Sequence, residues 1–502
     1  MKELYSLQNG TDIRGVAYKD KNSDLEINLS EIEVCMIAKS FAKWLKNKNK
    51  TSYISIALGM DSRVTGPKFR NICAQELVKV GVNVIDCGLA TTPSMFMSTI
   101  LEDYKATGAI MFTASHMPYI YNGMKMFTRE GCLNKEDLKE VLDICVEANL
   151  DDKIDDIKSN ITERNLIDDY SNELKEIIKK GVDSKDNYNK PFAGMKIVVD
   201  AGNGAGGFFA NKVLEDLGAN TKGSQFLEPD GHFPNHIPNP ENKEAMKAIS
   251  KATLNANADL GIIFDTDVDR AAVVSKYGKE INKNALIALI SSIVLEENPG
   301  STIVTDSVTS DGLGEYIKLL GGVHYRFKRG YKNVINESIR LNNECINSPL
   351  AIETSGHAAM KENYFLDDGA YLVAKILIKA AKMFKENKDV SELISELREA
   401  KESLECRIKI KNNNYKEYAG SIIESVKEKA LEIEDWEIVE PNYEGVRVKS
   451  NKNNQQGWFL LRSSLHEPLL VLNIESDVEN GSKALFDNIS SILKSFDLEF
   501  PK

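Results

Sequence analysis

Short apolar, β-branched runs recur along the chain up to about residue 350, each halted by an aspartate and small residues. SYISIALGMD (52–61), MKIVVDAGNG (195–204) and STIVTDSVTS (301–310) share this form. Each is followed by a helix-length segment and a glycine-led second run: GVNVIDCG (81–88), GANTKGSQF (218–226) and GGVHYRF (321–327). A third apolar run completes each set: GAIMF (108–112), LGIIF (260–264) and PLAI (349–352). Strands alternating with helix-length segments predict parallel α/β units, and three sets in series predict three related domains. The segment 385–404, rich in lysine and glutamate, reads as a helix leading into a linker. From about 406 the pattern changes to a strand at RIKIK, a helix over 415–431, strands at GVRVKS, GWFLLRSS and LLVLNIES, and a final helix over 482–495. That is an α+β layer with antiparallel strands. The expected architecture is three α/β domains with mixed, mostly parallel sheets at 1–160, 161–297 and 298–405, and a C-terminal α+β domain at 406–502.

Parallel α/β sheets place ligand sites beyond the carboxyl ends of their strands. The residues after the three third strands are TASHMP (113–118), DTDVDR (265–270) and ETSGH (353–357). In the second, Asp265, Asp267 and Asp269 alternate, so an extended loop points three carboxylates to one side. Such charges repel unless a cation sits among them, and hard oxygen ligands in that number suit Mg²⁺. A calcium EF-hand is excluded, because Arg270 and Lys276 stand where that loop needs Gly and Glu. The β-branched Val268 is not expected to take a positive φ. Ser115 lacks the G-x-S-x-G elbow of a hydrolase. Beside a Mg²⁺ site a phosphorylated serine offers an oxygen ligand and a transferable phosphoryl group, and Lys125 is placed to neutralise charge or move a proton. Gly202, Gly204 and Gly207 form a G-x-G-x-x-G after a strand, but the next run carries no acid to hold a ribose. These glycines read as a tight strand-to-helix packing turn.

Composition sharpens this picture. The net charge is 63 − 75 = −12, which argues against nonspecific binding to nucleic acid or to an acidic membrane surface. Cations nevertheless gather in the motif loops: Arg14, Arg63, Lys328, Arg329, Lys332, Arg447 and Arg462. Together they read as anion ligands converging on one cleft. Histidines 116, 232, 236, 357 and 466 fall in the motifs as well, and His324 lies just before FKRGYK. The seven cysteines never form a C-x-x-C and read as reduced thiols. MKELYSLQNG lacks the apolar core of a signal peptide, and ALIALISSIVL (285–295) is too short to span a bilayer. A cytoplasmic protein is expected, either monomer or dimer, with no membrane or nucleic-acid partner.

TASHMPYIYNGMK (113–125), DTDVDR, ETSGH and a C-terminal RSSLHEP (462–468), in that order, resemble the motifs of the α-D-phosphohexomutases. PDGHFPNHIPNP (229–240) and LDDGAY (366–371) are similar to further segments of that family, and the likeness runs from TDIRG (11–15) to residue 468. The resemblance implies four domains around a central cleft. It implies that Ser115 is the phosphoserine, that its phosphate and Asp265, Asp267 and Asp269 hold Mg²⁺, and that a hexose 1-phosphate and a hexose 6-phosphate interconvert through a 1,6-bisphosphate, which also serves as activator. Lys125, His357, Arg14 and Arg270 take catalytic roles in that scheme. The phosphosugar is bound by His116, Lys328, Arg329, Glu353, Ser355, Arg462, Ser464 and His466. The family usually has Asn at 117, Gly at 266, 268 and 352, and R-P-S-G-T-E-P at 462–468; here stand Met117, Thr266, Val268, Ile352, Ser463, Leu465 and His466. The expected substrate is a glucose or mannose phosphate. The alternatives are a phosphoglucosamine mutase and a phosphosugar-binding protein that has lost turnover.

Overall fold

The computed structural model of the protein describes residues 2–147, 159–464 and 467–501. The chain forms two compact units. One comprises Met1–Asn282, Ser355–Ala359 and Leu366–Glu392; the other comprises Lys283–Thr354, Met360–Phe365 and Leu393–Lys502.

The first unit opens with an eight-stranded sheet. Its strands run in the order Gln8–Asn9, Asp12–Val16, Tyr121–Thr128, Gly108–Phe112, Ser55–Met60, Asn83–Leu89 and Ile161–Glu163, with Gly131–Cys132 paired to Tyr121–Thr128. Ser55–Met60 is parallel to both neighbours, and Met60 lies level with Phe112. Asp61 and the serine loop therefore leave the sheet at the same carboxyl edge. The helix Glu31–Asn49 covers one face, started by a capping box between Ser30 and Glu33, with Val34, Ile37, Ala38, Phe41 and Leu45 buried along one stripe. Leu45 and Phe41 press on Gly108, where an added Cβ would lie 2.6 Å from Leu45. The glycine is what lets helix and strand approach.

The second sheet has the order Glu280–Ile281, Ala271–Ser275, Leu260–Phe264, Ile197–Asp200. Leu260–Phe264 runs parallel to Ile197–Asp200 and antiparallel to Ala271–Ser275. The strand expected at 218–226 is absent; two isolated bridges, Lys196 to Asn220 and Asp200 to Gln225, stand in its place. Gly218 and Gly223 have φ of 91° and 111° there, and the polar residues between them offer little to pack on a sheet. The glycine turn at 202–207 is a packing turn as expected. A Cβ at Gly204 or Gly207 would lie 2.6 Å from the Thr266 carbonyl oxygen or 2.2 Å from that of Leu227.

Asp368 caps the helix Gly369–Lys385 by accepting from the Tyr371 amide at 2.9 Å. The Tyr170 hydroxyl, from the helix Leu166–Val182, lies 2.7 Å from both oxygens of the same carboxylate. Tyr170→Phe removes that donor at nearly constant volume. It is expected to cost about 1.5–3 kcal/mol, read as a lower urea midpoint at unchanged m-value. No helix follows over 385–404. Asn387 turns left-handed at φ 57°, the Asp389 carboxylate takes the Ser391 amide, and only the 3₁₀ turn Val390–Ile394 forms before the strand Glu402–Ile410.

In the second unit Val323–Arg326, Thr302–Thr305 and Leu350–Ile352 form parallel strands in that order. The C-terminal layer is a six-stranded antiparallel sheet, ordered Trp436–Ile438, Val446–Ser450, Gly457–Ser463, Leu469–Ser476, Glu402–Ile410, Leu498–Glu499. The helices Tyr415–Leu431 and Gly481–Leu493 bury Ile422, Val426, Leu485 and Ile489 against its apolar face. Among the described residues no helix is long and apolar enough to cross a membrane.

Candidate active site

The serine loop is built around a buried guanidinium. Arg63 is 1% exposed. Its Nη1 donates to the carbonyls of Pro118 and Tyr121 at 3.0 and 2.8 Å, and its Nη2 donates to those of Met117, at 2.7 Å, and Ser115. Its Nε faces the Asp61 carboxylate at 3.4 Å. Burial pushes the Asp61 carboxyl up to about 6 against the opposing charge of Arg63. The reading of Arg63 as an anion ligand is thus corrected: its donors are spent on backbone and it is closed to solvent. What it holds is a strained loop, since Ser115 has φ 51°, a conformation costing a non-glycine residue about 1–2 kcal/mol.

That conformation presents the Ser115 Oγ at 3.3 Å from each of Asp265 Oδ2, Arg270 Nη2 and His116 Nδ1. Arg270 Nη2 donates to His116 Nδ1 at 2.6 Å, so that nitrogen carries no proton. Burial, then the charge of Arg270, holds the imidazole well below its ordinary pKa.

The aspartates sit in the turn between Leu260–Phe264 and Ala271–Ser275. Their convergence comes from a left-handed residue rather than from extended alternation. Val268 is fully buried and has φ 66°, contrary to expectation for a β-branched residue. Backbone hydrogen bonds hold the turn on both sides: the Val268 carbonyl accepts from the Gly369 amide at 3.1 Å, that of Asp267 from the Thr92 amide at 2.9 Å, and the Asp265 amide donates to the Arg270 carbonyl at 3.2 Å. These bonds hold a conformation that costs about 1–3 kcal/mol. Oxygens of Asp265, Asp267 and Asp269 all lie within 4.8 Å of one another. Lys125 Nζ is 3.0 Å from Asp267 Oδ2 and hydrogen-bonds Asp269, while Thr92 donates to Asp267 at 2.5 Å. Asp267 Oδ1 and Asp269 Oδ1 are buried without a hydrogen-bond partner. Burial and the neighbouring Asp269 and Asp267 raise the Asp265 pKa well above the usual range. Lys125 keeps Asp269 low against burial. Unpartnered hard oxygens in this number fit a divalent cation such as Mg²⁺.

His357 and Ser355 belong to the same unit. His357 pairs with Arg270 in an isolated antiparallel bridge, and its Nδ1 lies 2.5 Å from Asp367. Burial opposes its protonation, but the charges of Asp367 and Asp269 raise its pKa to about 9. Arg14 stands on Asp12–Val16 opposite Gly123, two residues from Lys125, and pairs with Asp12 at 2.9 Å.

The second unit gathers its own set. The Arg329 amide donates to Glu444 Oε2 at 2.9 Å, and the Gly330 amide donates to Glu353 at 2.6 Å, fixing the loop that carries Lys328 and Arg329. Glu444 also accepts from Ser307 at 2.6 Å and lies 3.7 Å from Arg462. Ser464 donates its amide to Leu469 at 2.8 Å. His466 and Leu465 lie outside the described residues. Arg447 is a second correction. It is 2% exposed, donates to the Ser307 and Thr309 carbonyls and to Asp311, and lies 3.6 Å above the Trp458 ring. Like Arg63 it supports backbone and has no face open to an anion.

Sequence reasoning missed Thr92 and Glu444, which carry no motif of their own, and gave no role to Asp367, although it lies in the LDDGAY segment. One signal was available. The aspartate ending the first strand of each repeat is buried in every case: Asp61 faces Arg63, Asp200 faces His236, and Asp306 accepts from Thr354 at 2.7 Å.

Comparison with known proteins agrees with this geometry. Models described as phosphoglucomutase/phosphomannomutase, alpha/beta/alpha domains I, II and III, match residues 6–150, 168–278 and 282–400. A phosphoglucomutase of Neisseria meningitidis is 29% identical over 485 residues, 96% of each chain. A phosphomannomutase/phosphoglucomutase of Pseudomonas syringae is 32% identical over 426 residues, 85% of this chain and 84% of its own. The crystal structure of a phosphoglucomutase/phosphomannomutase family protein from Burkholderia thailandensis superposes with a TM-score of 0.79 at 26% identity, covering 98% of this chain and 97% of that one.

Proposed function

Because the chain belongs to the phosphoglucomutase/phosphomannomutase family, we propose that it is an intramolecular phosphotransferase interconverting the 1- and 6-phosphates of glucose, mannose or both. The observation that carries this reading is the Ser115 hydroxyl, set 3.3 Å from both Asp265 and Arg270 beside the converged aspartates and Lys125.

In this reading Ser115 is phosphorylated in the resting enzyme. The phosphoryl group passes from Oγ to the free hydroxyl of a hexose monophosphate: the serine O–P bond breaks, a sugar O–P bond forms, and the hydroxyl proton goes to a base. The resulting 1,6-bisphosphate returns its other phosphoryl group to Ser115. Added bisphosphate acts as activator by recharging enzyme that has lost its phosphate. Asp265, Asp267 and Asp269 would hold Mg²⁺ with the serine phosphate, and the metal when bound supplies charge stabilisation to the phosphoryl oxygens. Arg270 and Arg14 oppose the charge on the transferring group, and Lys125 and His357 move the protons. His116 contacts the phosphosugar, Glu353 and Ser355 hold its hydroxyls, and Lys328, Arg329, Arg462, Ser464 and His466 hold its non-reacting phosphate. Domain boundaries at 1–160, 161–297, 298–405 and 406–502, a cytoplasmic location and a monomer or dimer go with this reading.

A coupled assay tests it. Glucose, mannose and glucosamine 1-phosphates are offered in turn with Mg²⁺ and a trace of the matching bisphosphate. Turnover on glucose or mannose phosphate, lost in EDTA and restored by Mg²⁺, is the expected result. Turnover on glucosamine phosphate alone, or net release of inorganic phosphate, would overturn it.

A further inference from the structure

The segment 229–240 has no part in the chemistry above, yet it holds one of the most enclosed histidines of the first unit. The His236 side chain is 4% exposed. Its Nε2 lies 3.0 Å from Asp200 Oδ2, and its Nδ1 lies 3.0 Å from the Ile237 carbonyl oxygen. Both ring nitrogens face acceptors, so the ring is satisfied only when both carry hydrogen. Asp200, fully buried, also accepts from Gln225 at 2.7 Å and from the Gly202 amide at 2.9 Å. The ring also meets the Phe226 ring, edge-on at 5.4 Å, and Gly202, whose added Cβ would lie 3.3 Å from it. Asp200 is its one ionisable partner among the described residues. Burial opposes protonation, but the hydrogen bond and charge of Asp200 outweigh it and set the pKa above the ordinary histidine value.

The segment then leads to the catalytic arginine. Asn239 Oδ1 accepts from Arg270 Nη1 at 3.3 Å, and the Glu241 carboxylate lies 3.5 Å from the same nitrogen. The other terminal nitrogen, Nη2, is the one that reaches Ser115 and His116. Arg270 Nε is also held, 3.2 Å from Asp265 Oδ2, so the planar guanidinium is fixed at two places behind its Nη2 end, and loss of the Nη1 contacts removes one of them.

We infer that His236, through its pairing with Asp200, is a positioning residue that fixes the 236–241 segment and so aims Arg270 at Ser115. The inference rests on the mutase reading of Ser115 and Arg270. As pH rises through the raised pKa, the ring loses a proton, one nitrogen opposes an acceptor with a lone pair, and the hold on Arg270 loosens. The contribution is therefore complete below the ordinary histidine pKa and is lost on the alkaline side.

The test compares wild type, H236A and H236Q. Glutamine keeps an N–H for Asp200 at every pH. H236A is expected to lower kcat about 10–100-fold with KM changed less than about twofold, the signature of misaimed transition-state contacts. H236Q is expected to stay within about threefold of wild type below the ordinary histidine pKa and to lack the alkaline decline, so the ratio of wild-type to H236Q activity falls as pH rises above that value. Hydrogen exchange of peptides covering 113–125 and 265–275 is read in parallel, and faster exchange in H236A than in H236Q is expected. Equal kcat in H236A, the same alkaline decline in H236Q, or unchanged exchange would each overturn the inference. Should wild type turn over no hexose phosphate, the mutase reading fails, and the exchange measurement still decides whether His236 orders the loops of Ser115 and Arg270.

Discussion

Ser115→Ala is expected to reduce mutase turnover by at least about 10⁴-fold, the scale of removing a nucleophile from a covalent mechanism. The reason is local. Ser115 Oγ is the group that the left-handed backbone turns toward Asp265 and Arg270. Alanine at the same φ leaves the loop in place, because the carbonyls of 115, 117, 118 and 121 remain bound to Arg63. Folding should change little, which a thermal melt will show. Intact-mass measurement after exposure to glucose 1,6-bisphosphate should find one added phosphoryl group on wild type and none on the variant. Appreciable turnover in S115A, or a phosphoryl group carried elsewhere, would remove Ser115 from the centre of the mechanism.

Arg63→Leu is expected to be the most damaging substitution for stability, at about 3–5 kcal/mol, because it strands a buried Asp61 carboxylate and takes donors from several loop carbonyls at once. The pH dependence has a definite sign. The folded pKa of Asp61 is already raised to about 6 by burial, and losing the Arg63 charge raises it further. A carboxyl whose pKa is higher folded than unfolded destabilises the protein above that pKa and ceases to do so as it protonates. R63L should therefore regain stability as pH falls from about 7 to about 5. The double variant D61N/R63L should recover about 1–3 kcal/mol relative to R63L, seen in urea midpoints at pH 7. A pH-independent loss, or no recovery in the double variant, would mean that packing rather than the ion pair sets the cost. R63K keeps the charge but cannot span the loop carbonyls, so it should fall between the two.

Much of this molecule was legible in its residues. The repeated strand pattern located Ser55–Met60, Gly108–Phe112, Leu260–Phe264 and Leu350–Ile352, because apolar β-branched runs bounded by turn residues have few other ways to be buried. That pattern failed at 218–226, where two glycines with positive φ break the strand, and the lysine- and glutamate-rich composition misled at 385–404, where Asn387 ends the helix. Both failures come from backbone angles that hydrophobic spacing does not encode.

The sequence by itself determined which chemistry is present: a serine beside a histidine, three alternating aspartates closed by an arginine, and a lysine ten residues past the serine. Residue type and order were enough, because hard oxygens and cations suit only a few tasks. Tertiary structure alone decided how each charge is used. Arg63 and Arg447 are chemically the equals of Arg270, yet they are enclosed by carbonyls while Arg270 faces the serine. Likewise Val268 adopts φ 66° because partners distant in sequence, Thr92 and Gly369, bind the backbone on either side of it. A guanidinium's role depends on which acceptors the fold brings within about 3 Å, and those acceptors come from segments that only folding makes neighbours.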